Sequence, residues 1–278
     1  MSSLQESAFA EFHAFEHAGW QSASREYDDA FGRLTRQVIG PLLDAVGVGK
    51  GMRVLDVASG PGYVAAEAAA RGARVAAVDF SSEMVALARS RHPGIAFSEG
   101  DAEALAFPEG KFDAVVMNFG MLHLARPERA VAQAFRVLRL GGCYAFTVWA
   151  QPEEAAGFGI ILDAVRSHGD PDVPLPSGPP FFRFSDAGEC ERVLRGTGFS
   201  DTNVRKHRQT WSFTSPEGLF EAFYNGTVRT RALLRAQTSG KLEAIRNAVR
   251  EGAEHFAADG GVQIPMPAVL AAAVKPGK

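Results

Sequence analysis

The chain has 278 residues, of which 46% are hydrophobic and 22% charged, with a formal net charge of -3 at pH 7. This length and composition are typical of one large globular domain, and the slight negative charge argues against a protein that holds a nucleic-acid backbone. The two cysteines have no CxxC neighbour, which argues against a disulfide framework or a zinc site and fits a reducing, cytoplasmic location.

The amino terminus has no basic stretch followed by an apolar one, so we expect no signal peptide. No apolar run reaches the roughly 20 residues that cross a bilayer, so we expect no membrane span. The sequence carries no signature of an oligomeric state.

Residues 8–46 have the apolar spacing of helices in two or more pieces. Phe9, Phe12 and Phe15 recur at helical spacing. Pro41 falls in the second piece and predicts a kink or a restart there. We therefore expect N-terminal helices ahead of the main sheet.

Short apolar runs and helical runs alternate from residue 52 to residue 149. The spacing predicts strands over 52–57, 74–79, 95–98, 112–118 and 143–149. It predicts helices over 61–71, 82–91 and 127–140, with Ser81 as an N-cap and Gly141-Gly142 as a C-cap. Short strands separated by helices predict a parallel sheet that is buried on both faces.

This alternation breaks after residue 150. A helical stretch at 155–168 leads into a segment rich in proline and glycine, which predicts an irregular cap insertion. Further on, we expect a helix capped by Ser185, a strand over 199–213 and helical segments that run to about residue 258. The last strand is expected over 269–274.

The stretch 53–63, RVLDVASGPGY, predicts a strand, a loop of small residues and the start of a helix. Such a loop presents backbone N–H groups at the carboxyl edge of the strand, where open α/β sheets bind ligands. Residues 60–65 also satisfy the dinucleotide pattern GxGxxA, which several nucleotide-binding families share. However, Pro61 removes one donor, and the Asp56 carboxylate suits an ammonium or a sulfonium better than a diphosphate.

Polar residues end the next strands at the same predicted edge. Asp79 ends the second strand, where an acid accepts hydrogen bonds from ribose hydroxyls. Asp101 and Ala102 follow the third strand, where they can contact the edge of an adenine ring. Met84, on the intervening helix, can pack against the base, and Asn118 ends the fourth strand.

Four motifs follow one another in the chain: VLDVASGPGY, AAVDFSSEMVALAR, SEGDAEALAFPEGKFDAVVMNFGMLHL and RVLRLGGCYAFTVW. Together they resemble a class I S-adenosylmethionine-dependent methyltransferase of the UbiE-like, type 11 group that acts on small molecules. The resemblance covers residues 20–150 well, with Ala58 where the family has its first loop glycine. It implies a Rossmann-like α/β fold: a seven-stranded, mostly parallel sheet with an antiparallel last strand and helices on both faces.

The resemblance implies one methyltransferase domain over residues 1–278. Its expected parts are N-terminal helices that form a lid (1–50), a cofactor-binding core (51–149), cap segments (150–184 and 215–260) and the remaining core (185–214 and 261–278).

The resemblance also implies the cofactor, S-adenosyl-L-methionine, and its product, S-adenosyl-L-homocysteine. Tyr27, Asp56 and the loop backbone would hold the methionine end, Asp79 the ribose, and Asn118 would lie near the sulfonium. The full set of implied cofactor-binding residues is Tyr27, Asp56, Ala58, Gly60, Gly62, Asp79, Phe80, Met84, Asp101, Ala102, Asn118 and Phe119.

His123, shortly after the fourth strand, is the candidate catalytic residue, acting as a general base near the methyl group. A packed histidine at the start of a helix is the alternative. His13 and His17 share one helical face, but no third ligand is evident, so we expect no metal site.

We expect in-line transfer of a methyl group to a small, partly apolar organic acceptor. The candidates to line its pocket are Phe181, Phe182, Phe220, Phe223 and Tyr224. Two alternatives remain open. One is an NAD(P)-dependent oxidoreductase, based on GxGxxA, and the other is a non-catalytic S-adenosylmethionine-binding module, because no unambiguous base is evident.

Overall fold

Ten strands are present in residues 3–277, the part of the chain that the computed structural model describes. They are β1 (Arg53–Val57), β2 (Arg74–Asp79), β3 (Ala96–Glu99), β4 (Phe112–Asn118), β5 (Leu138–Trp149), β6 (Ser200–His207), β7 (Thr210–Phe213), β8 (Ala257–Ala258), β9 (Gly261–Pro265) and β10 (Ala268–Val274). The expected single domain also includes residues 1, 2 and 278, which lie outside the described residues.

Seven of these strands form the central sheet, in the order β3-β2-β1-β4-β5-β10-β6 within the described residues. β1 pairs in parallel with β2 and β4, and β10 runs antiparallel to both β5 and β6. The predicted mixed sheet with an antiparallel last strand is therefore confirmed. The strand order reverses between β1 and β4, and ligands of open α/β sheets bind beside such a switch point.

Ten α-helices surround the sheet in the described residues. They are α1 (Ser3–Thr35), α2 (Ile39–Ala45), α3 (Tyr63–Ala70), α4 (Ser82–Arg91), α5 (Pro127–Val137), α6 (Ala156–His168), α7 (Ala187–Thr197), α8 (Glu217–Gly226), α9 (Arg229–Arg235) and α10 (Ser239–Glu254). Short 3₁₀ turns lie at Arg36–Val38, Ala102–Ala104, Met121–His123 and Arg183–Ser185. Among residues 3–277, no helix combines the length and apolar character that a bilayer crossing requires.

The central strands are buried because their residues are almost wholly apolar. Four of the five residues of β1 are buried, and β10 is buried from Ala268 to Ala273. Strands of this kind need cover on both faces, which the helices provide. The edge strand β6 instead largely alternates exposed and half-buried residues and exposes the basic residues Arg205 and Lys206 to solvent.

The predicted strand over 199–213 is in fact two strands in two sheets. β6 ends at His207, and β7 pairs with β9, which pairs with β8 in a second, three-stranded sheet. Gln209 lies between the two strands. Its side-chain amide donates to the Leu34 carbonyl at 2.6 Å, and its backbone carbonyl accepts from Met266 N–H at 2.9 Å. The second half of the predicted strand therefore lies in a different sheet, because strand partners are set by distant residues.

Two predicted helix ends also differ from the structure. The helix expected to end at Leu140 ends at Val137, and β5 begins at Leu138 and continues through both glycines. Gly141 has a φ of +71°, so it serves a bend within the strand instead of capping a helix. At α7 the N-cap is Asp186, whose carboxylate accepts from Glu189 N–H at 2.7 Å, and not Ser185.

Candidate active site

A cleft runs along the carboxyl edge of β1, β2 and β4, between the central sheet, α1 and the link from α8 to α9. Its free space, including solvent at its open mouth, is about 1300 Å³. Eleven of the thirteen predicted site residues line it: Tyr27, Ala58, Gly60, Asp79, Phe80, Met84, Asp101, Ala102, Asn118, Phe119 and His123. Asp56 and Gly62 do not.

The loop after β1 is held in a left-handed turn. Ala58 and Gly60 have φ values of +54° and +49°, and Gly60 N–H donates to Asp79 Oδ2 at 2.8 Å. A Cβ on Gly60 would meet no atom within 4 Å, so its backbone faces open space in the cleft. A ligand can therefore approach the Gly60 backbone closely.

Gly62 has a structural role beneath the same loop. It is the N-cap of α3, with a φ of +86°, and a Cβ there would lie 2.7 Å from the Phe97 ring. Its left-handed conformation and this close contact both require glycine. The chain needs Gly62 to turn into α3, whereas Gly60 provides the exposed backbone.

Asp56 is buried behind the loop. Its Oδ2 accepts from Ala65 N–H at 3.0 Å, and its Oδ1 has no hydrogen-bond partner among the described residues. Burial raises the pKa of Asp56 to about 8, with the Ala65 hydrogen bond acting in the opposite direction. Asp56 does not line the cleft, and its carboxylate supports the first turn of α3 from behind the loop.

Asp79 faces the cleft and also supports the loop. Its two oxygens accept from Gly60 N–H at 2.8 Å and from Ser81 N–H at 3.0 Å. Burial raises the pKa of Asp79 to about 6 despite these two hydrogen bonds. Each carboxylate oxygen can accept a further hydrogen bond, so Asp79 can bind the hydroxyl groups of a sugar.

An apolar slot lies between α4 and the turn after β3. Met84 is only 3% exposed, and the Phe80 ring is flanked edge-on by the rings of His13 and His17, at 5.8 and 5.4 Å. At the end of the slot, Asp101 Oδ2 lies 3.4 Å from His13 Nε2. The apolar walls of this slot suit the faces of a planar base. The Asp101 carboxylate at its end can accept a hydrogen bond from a donor on the edge of that base.

The two N-terminal histidines therefore pack against the slot. Residues 5–277 contain no cluster of three or more side chains that could hold a metal ion.

The ends of β4 and β5 form the floor of the cleft. Asn118 accepts from the Thr147 hydroxyl at 2.6 Å and donates to the Thr35 carbonyl at 3.1 Å, so it ties β4 to the end of α1. Phe119 has a φ of +55°, and its ring stacks on Trp149 with centroids 3.9 Å apart. Both residues face the cleft, but the amide of Asn118 already has structural partners.

Six aromatic side chains wall one part of the cleft, which we call the aromatic chamber. Its members are Trp20, Phe31, Phe119, Trp149, Phe158 and Phe181. Of the five residues predicted to line an acceptor pocket, only Phe181 reaches this cleft, since Phe220 and Phe223 are fully buried elsewhere in the core. Phe182 and Tyr224 are likewise not on the cleft surface.

Tyr27 lies at the edge of the chamber. Its ring stacks on Phe31 at 5.8 Å and meets Trp20 edge-on at 5.2 Å. Burial raises the pKa of Tyr27 to about 12, so its hydroxyl stays protonated at neutral pH and can donate a hydrogen bond.

His123 lies beside the chamber, on the 3₁₀ turn after β4, in a cluster that sequence reasoning missed. Its Nδ1 is 3.0 Å from Glu16 Oε2, and Arg229 Nε donates to Glu16 Oε1 at 2.7 Å. Glu16 is completely buried. A sequence signal did exist, because Phe12, Glu16 and Trp20 fall on one buried face of α1 at i, i+4 and i+8.

Residues 54–142 match the family model for a methyltransferase domain. Over 173 residues, the chain is 40% identical to demethylmenaquinone methyltransferase of Renibacterium salmoninarum, a match that covers 59% of this chain and 73% of that one. The chain belongs to the class I S-adenosylmethionine-dependent methyltransferases. A second relative, demethylmenaquinone methyltransferase of Beutenbergia cavernae, is 40% identical over 121 residues, which span only half of its length.

Solved structures support the fold of the methyltransferase. Phosphoethanolamine N-methyltransferase 2 of Haemonchus contortus, in complex with S-adenosyl-L-methionine, aligns with a TM-score of 0.60 at 19% identity, covering 96% of this chain and 60% of that one. The [4+2]-cyclase SpnF aligns with a TM-score of 0.55 at 20% identity, covering 87% and 82%. At these identities the likeness shows the fold alone.

The cofactor of this methyltransferase is S-adenosylmethionine, and the cleft has groups suited to it. Gly60 presents an open backbone with an amide donor. The Asp79 carboxylate can accept hydrogen bonds from hydroxyl groups, and the slot at Met84 provides apolar cover. The oxidoreductase alternative is therefore set aside, and the GxGxxA pattern reflects a loop geometry that several cofactor-binding families share.

Proposed function

We propose that this enzyme transfers the methyl group of S-adenosylmethionine in line to a small, partly apolar organic acceptor held in the aromatic chamber. The observation that carries this proposal is the continuity of the cleft, because the chamber opens onto the same space as Gly60 and Asp79. An acceptor stacked against Trp149 and Phe119 would be held beside the bound cofactor. Such positioning can contribute on the order of 7–11 kcal/mol to catalysis.

The proposed cofactor contacts follow the order of the strands. The Asp79 carboxylate accepts from the ribose hydroxyls, and Asp101 with Ala102 contacts the adenine, which packs on Met84 and Phe80. The backbone of the loop from Ala58 to Gly60 and the hydroxyl of Tyr27 hold the methionine end, with Asp56 and Gly62 supporting the loop from behind. Asn118 and Phe119 line the space near the sulfonium.

Bound S-adenosylmethionine supplies an activated methyl group on a sulfonium. The protein then has to exclude water and align the acceptor, and the chamber suits both tasks because its walls are aromatic. His123 is the proposed general base for an acceptor whose reacting atom carries a proton. The relatives are named demethylmenaquinone methyltransferases, and an acceptor with a planar ring fits stacked aromatic walls.

Calorimetry with S-adenosylhomocysteine, followed by a panel of ring-bearing acceptors, tests the proposal. We expect binding of the cofactor product, and turnover of S-adenosylmethionine only with apolar, ring-bearing acceptors. Trp149→Ala should raise the KM for the acceptor and leave cofactor affinity unchanged. Turnover only with highly charged acceptors would contradict the proposed acceptor class, and absence of cofactor binding would contradict the whole assignment.

A further inference from the structure

Glu16 joins three separate parts of the chain at one buried point. It lies on α1, whereas His123 follows β4 and Arg229 begins α9. Its two oxygens are divided between these partners, with Oε2 at 3.0 Å from His123 Nδ1 and Oε1 at 2.7 Å from Arg229 Nε. Glu16 and Arg229 both lie outside residues 54–142, which match the family model.

Arg229 is itself fixed by further contacts. Its two terminal nitrogens donate to the carbonyls of Leu122 and Pro179, at 2.6 and 3.0 Å. Its guanidinium also lies 4.4 Å from the centroid of the Phe12 ring. The arginine therefore sets the position of the Glu16 carboxylate, because it cannot move without losing several contacts.

The Glu16 carboxylate is ionised despite its burial. Burial raises the pKa of Glu16, but the neighbouring His123 and Arg229 together outweigh it and hold the pKa below its usual value. An ionised carboxylate has no proton to donate. The hydrogen bond to His123 therefore places a proton on Nδ1, and the Nε2 of a neutral ring is left with its lone pair.

The ring plane of His123 is fixed as well. The Trp20 ring meets it edge-on at 4.8 Å and the Phe181 ring at 6.2 Å, and both aromatic rings belong to the chamber. The side chain of His123 is 19% exposed and lines the cleft. An imidazole held by Nδ1 on one side thus presents its other edge to the acceptor space.

We propose that Glu16 is a positioning residue that holds His123 as the Nδ1–H tautomer, so that Nε2 accepts a hydroxyl proton from the methyl acceptor. This inference rests on the proposed function and narrows its acceptor to a molecule with a dissociable hydroxyl on, or conjugated to, the methylated atom. A phenol, a hydroquinone or an enol has this chemistry.

The step balances in protons and electrons. His123 Nε2 takes the proton as the acceptor O–H bond breaks, and the freed electron pair attacks the methyl carbon from the hydroxyl oxygen or a conjugated ring carbon. The carbon–sulfur bond breaks with its electrons left on sulfur. Glu16 stabilises the imidazolium, which then returns its proton to solvent. After attack from carbon, loss of the ring proton restores the aromatic system.

Imidazole nitrogen NMR tests the positioning role without any turnover. The chain has seven histidines, and His123→Asn identifies the signals of His123 by their loss. In the wild-type chain we expect neutral His123 to be predominantly the Nδ1–H tautomer, and Glu16→Gln to give a mixture of tautomers. A predominant Nε2–H tautomer in the wild type, or no change in Glu16→Gln, would overturn the proposal.

Kinetics test the consequence for catalysis. Glu16→Gln should lower kcat by roughly 10²-fold, in the range expected for loss of general-base catalysis, while S-adenosylhomocysteine affinity stays unchanged. Glu16→Asp, which keeps the charge, should recover part of this loss. The matched control is Glu6→Gln, which removes another α1 glutamate from an ion pair, here with Arg126, and should have wild-type kcat.

The outcomes separate the two proposals. Wild-type tautomer and kcat in Glu16→Gln would refute the role of Glu16 and leave the methyl-transfer proposal intact. Lack of cofactor binding or of turnover by the wild type would refute the proposed function, and the NMR result would still decide the role of Glu16. Equal loss of cofactor affinity in Glu16→Gln and Glu16→Asp would show a purely structural ion pair and contradict the inference.

Discussion

Asp79 combines two tasks that make its charge sensitive to the surroundings. It accepts two backbone N–H groups and so shapes the loop, yet burial keeps its pKa at about 6. Asp56, one strand away and without access to the cleft, has its pKa raised further, to about 8. The carboxylate that faces the cleft is thus the more readily ionised of the two, as a hydroxyl acceptor requires.

Cofactor affinity should depend on the ionisation of Asp79. Hydrogen bonds from ribose hydroxyls favour the carboxylate over the carboxylic acid, so binding should weaken as the pH falls through about 6. Calorimetry with S-adenosylhomocysteine should show roughly tenfold lower affinity at about pH 5 than at about pH 7.5, because only about a tenth of a carboxyl group is ionised one unit below its pKa.

The Asp79→Asn variant provides the comparison for this pH dependence. It should bind roughly 10- to 150-fold more weakly at neutral pH, which corresponds to about 1.5–3 kcal/mol for hydrogen bonds to a charged group, and its affinity should lack the wild-type change near pH 6. Asp44→Asn, at an exposed carboxylate of α2, serves as control. An unchanged pH profile in Asp79→Asn would remove Asp79 from the ribose site.

Ala58 occupies a backbone conformation that favours glycine, and its methyl group determines what can stand opposite. A Cβ on Gly120 would lie 2.6 Å from the Ala58 Cβ and 2.8 Å from Met117 Cγ. Gly120→Ala should therefore destabilise the protein by about 1–3 kcal/mol. Ala58→Gly should change stability by less than about 1 kcal/mol, since relief of the left-handed strain is offset by a more flexible unfolded chain.

A double-mutant cycle in denaturant unfolding checks this pair. In the Ala58→Gly background, the destabilisation by Gly120→Ala should shrink by at least about 0.5 kcal/mol, because one of the two clashes is gone and the Met117 side chain is flexible. Strictly additive effects would mean that the backbone shifts to separate residues 58 and 120, so that their side chains do not compete for space.

At the level of elements, α1 is the part of the molecule that closes the cleft. Gln21 ties it to the start of α4, with Oε1 accepting from the Ser81 hydroxyl at 2.6 Å and from Glu83 N–H at 3.1 Å. Nearer the C-terminal end of α1, the Asp28 carboxylate accepts a hydrogen bond from the Tyr63 hydroxyl at 2.5 Å. The helix covers one side of the cleft and contributes Trp20 and Tyr27 to its walls.

Gln21→Ala should loosen α1 locally. It removes the contacts to α4 and leaves the Glu83 N–H without its side-chain acceptor, so a loss of about 1–2 kcal/mol is expected, or roughly 5- to 30-fold faster amide exchange in the middle of α1. Exchange measured by mass spectrometry, with the exposed α1 position Glu11→Ala as control, checks this. Equal protection in both variants would show that apolar packing alone holds α1.

For the whole molecule, the central sheet and the cap have separate tasks. The sheet brings the ends of β1, β2 and β4 to one edge, beside the point where the strand order reverses, and this is the region that the family model matches. The other walls of the cleft lie largely outside this region, on α1, α6 and the link between α8 and α9. The cofactor is accordingly that of the family, whereas the proposed acceptor chamber depends largely on elements outside the matched region.

The sequence predicted the core because its signals are local. β2, β4 and α4 begin and end where the spacing placed them, since apolar runs, the Ser81 N-cap and strand-ending acids act within a few residues. The sequence did not predict the partner of β7. Residues 199–213 contain no signal that the first half of this segment pairs with β10 and the second half with β9.

The sequence by itself determined the family and the cofactor. It also predicted the edge of the sheet for the cofactor site, because parallel strands bring their carboxyl ends together in any chain with this order. Tertiary structure alone decided which residues surround His123. Glu16 lies 107 residues from His123 and 213 from Arg229, so no local pattern relates them. The folded chain brings the three together because the buried carboxylate requires partners to offset its desolvation.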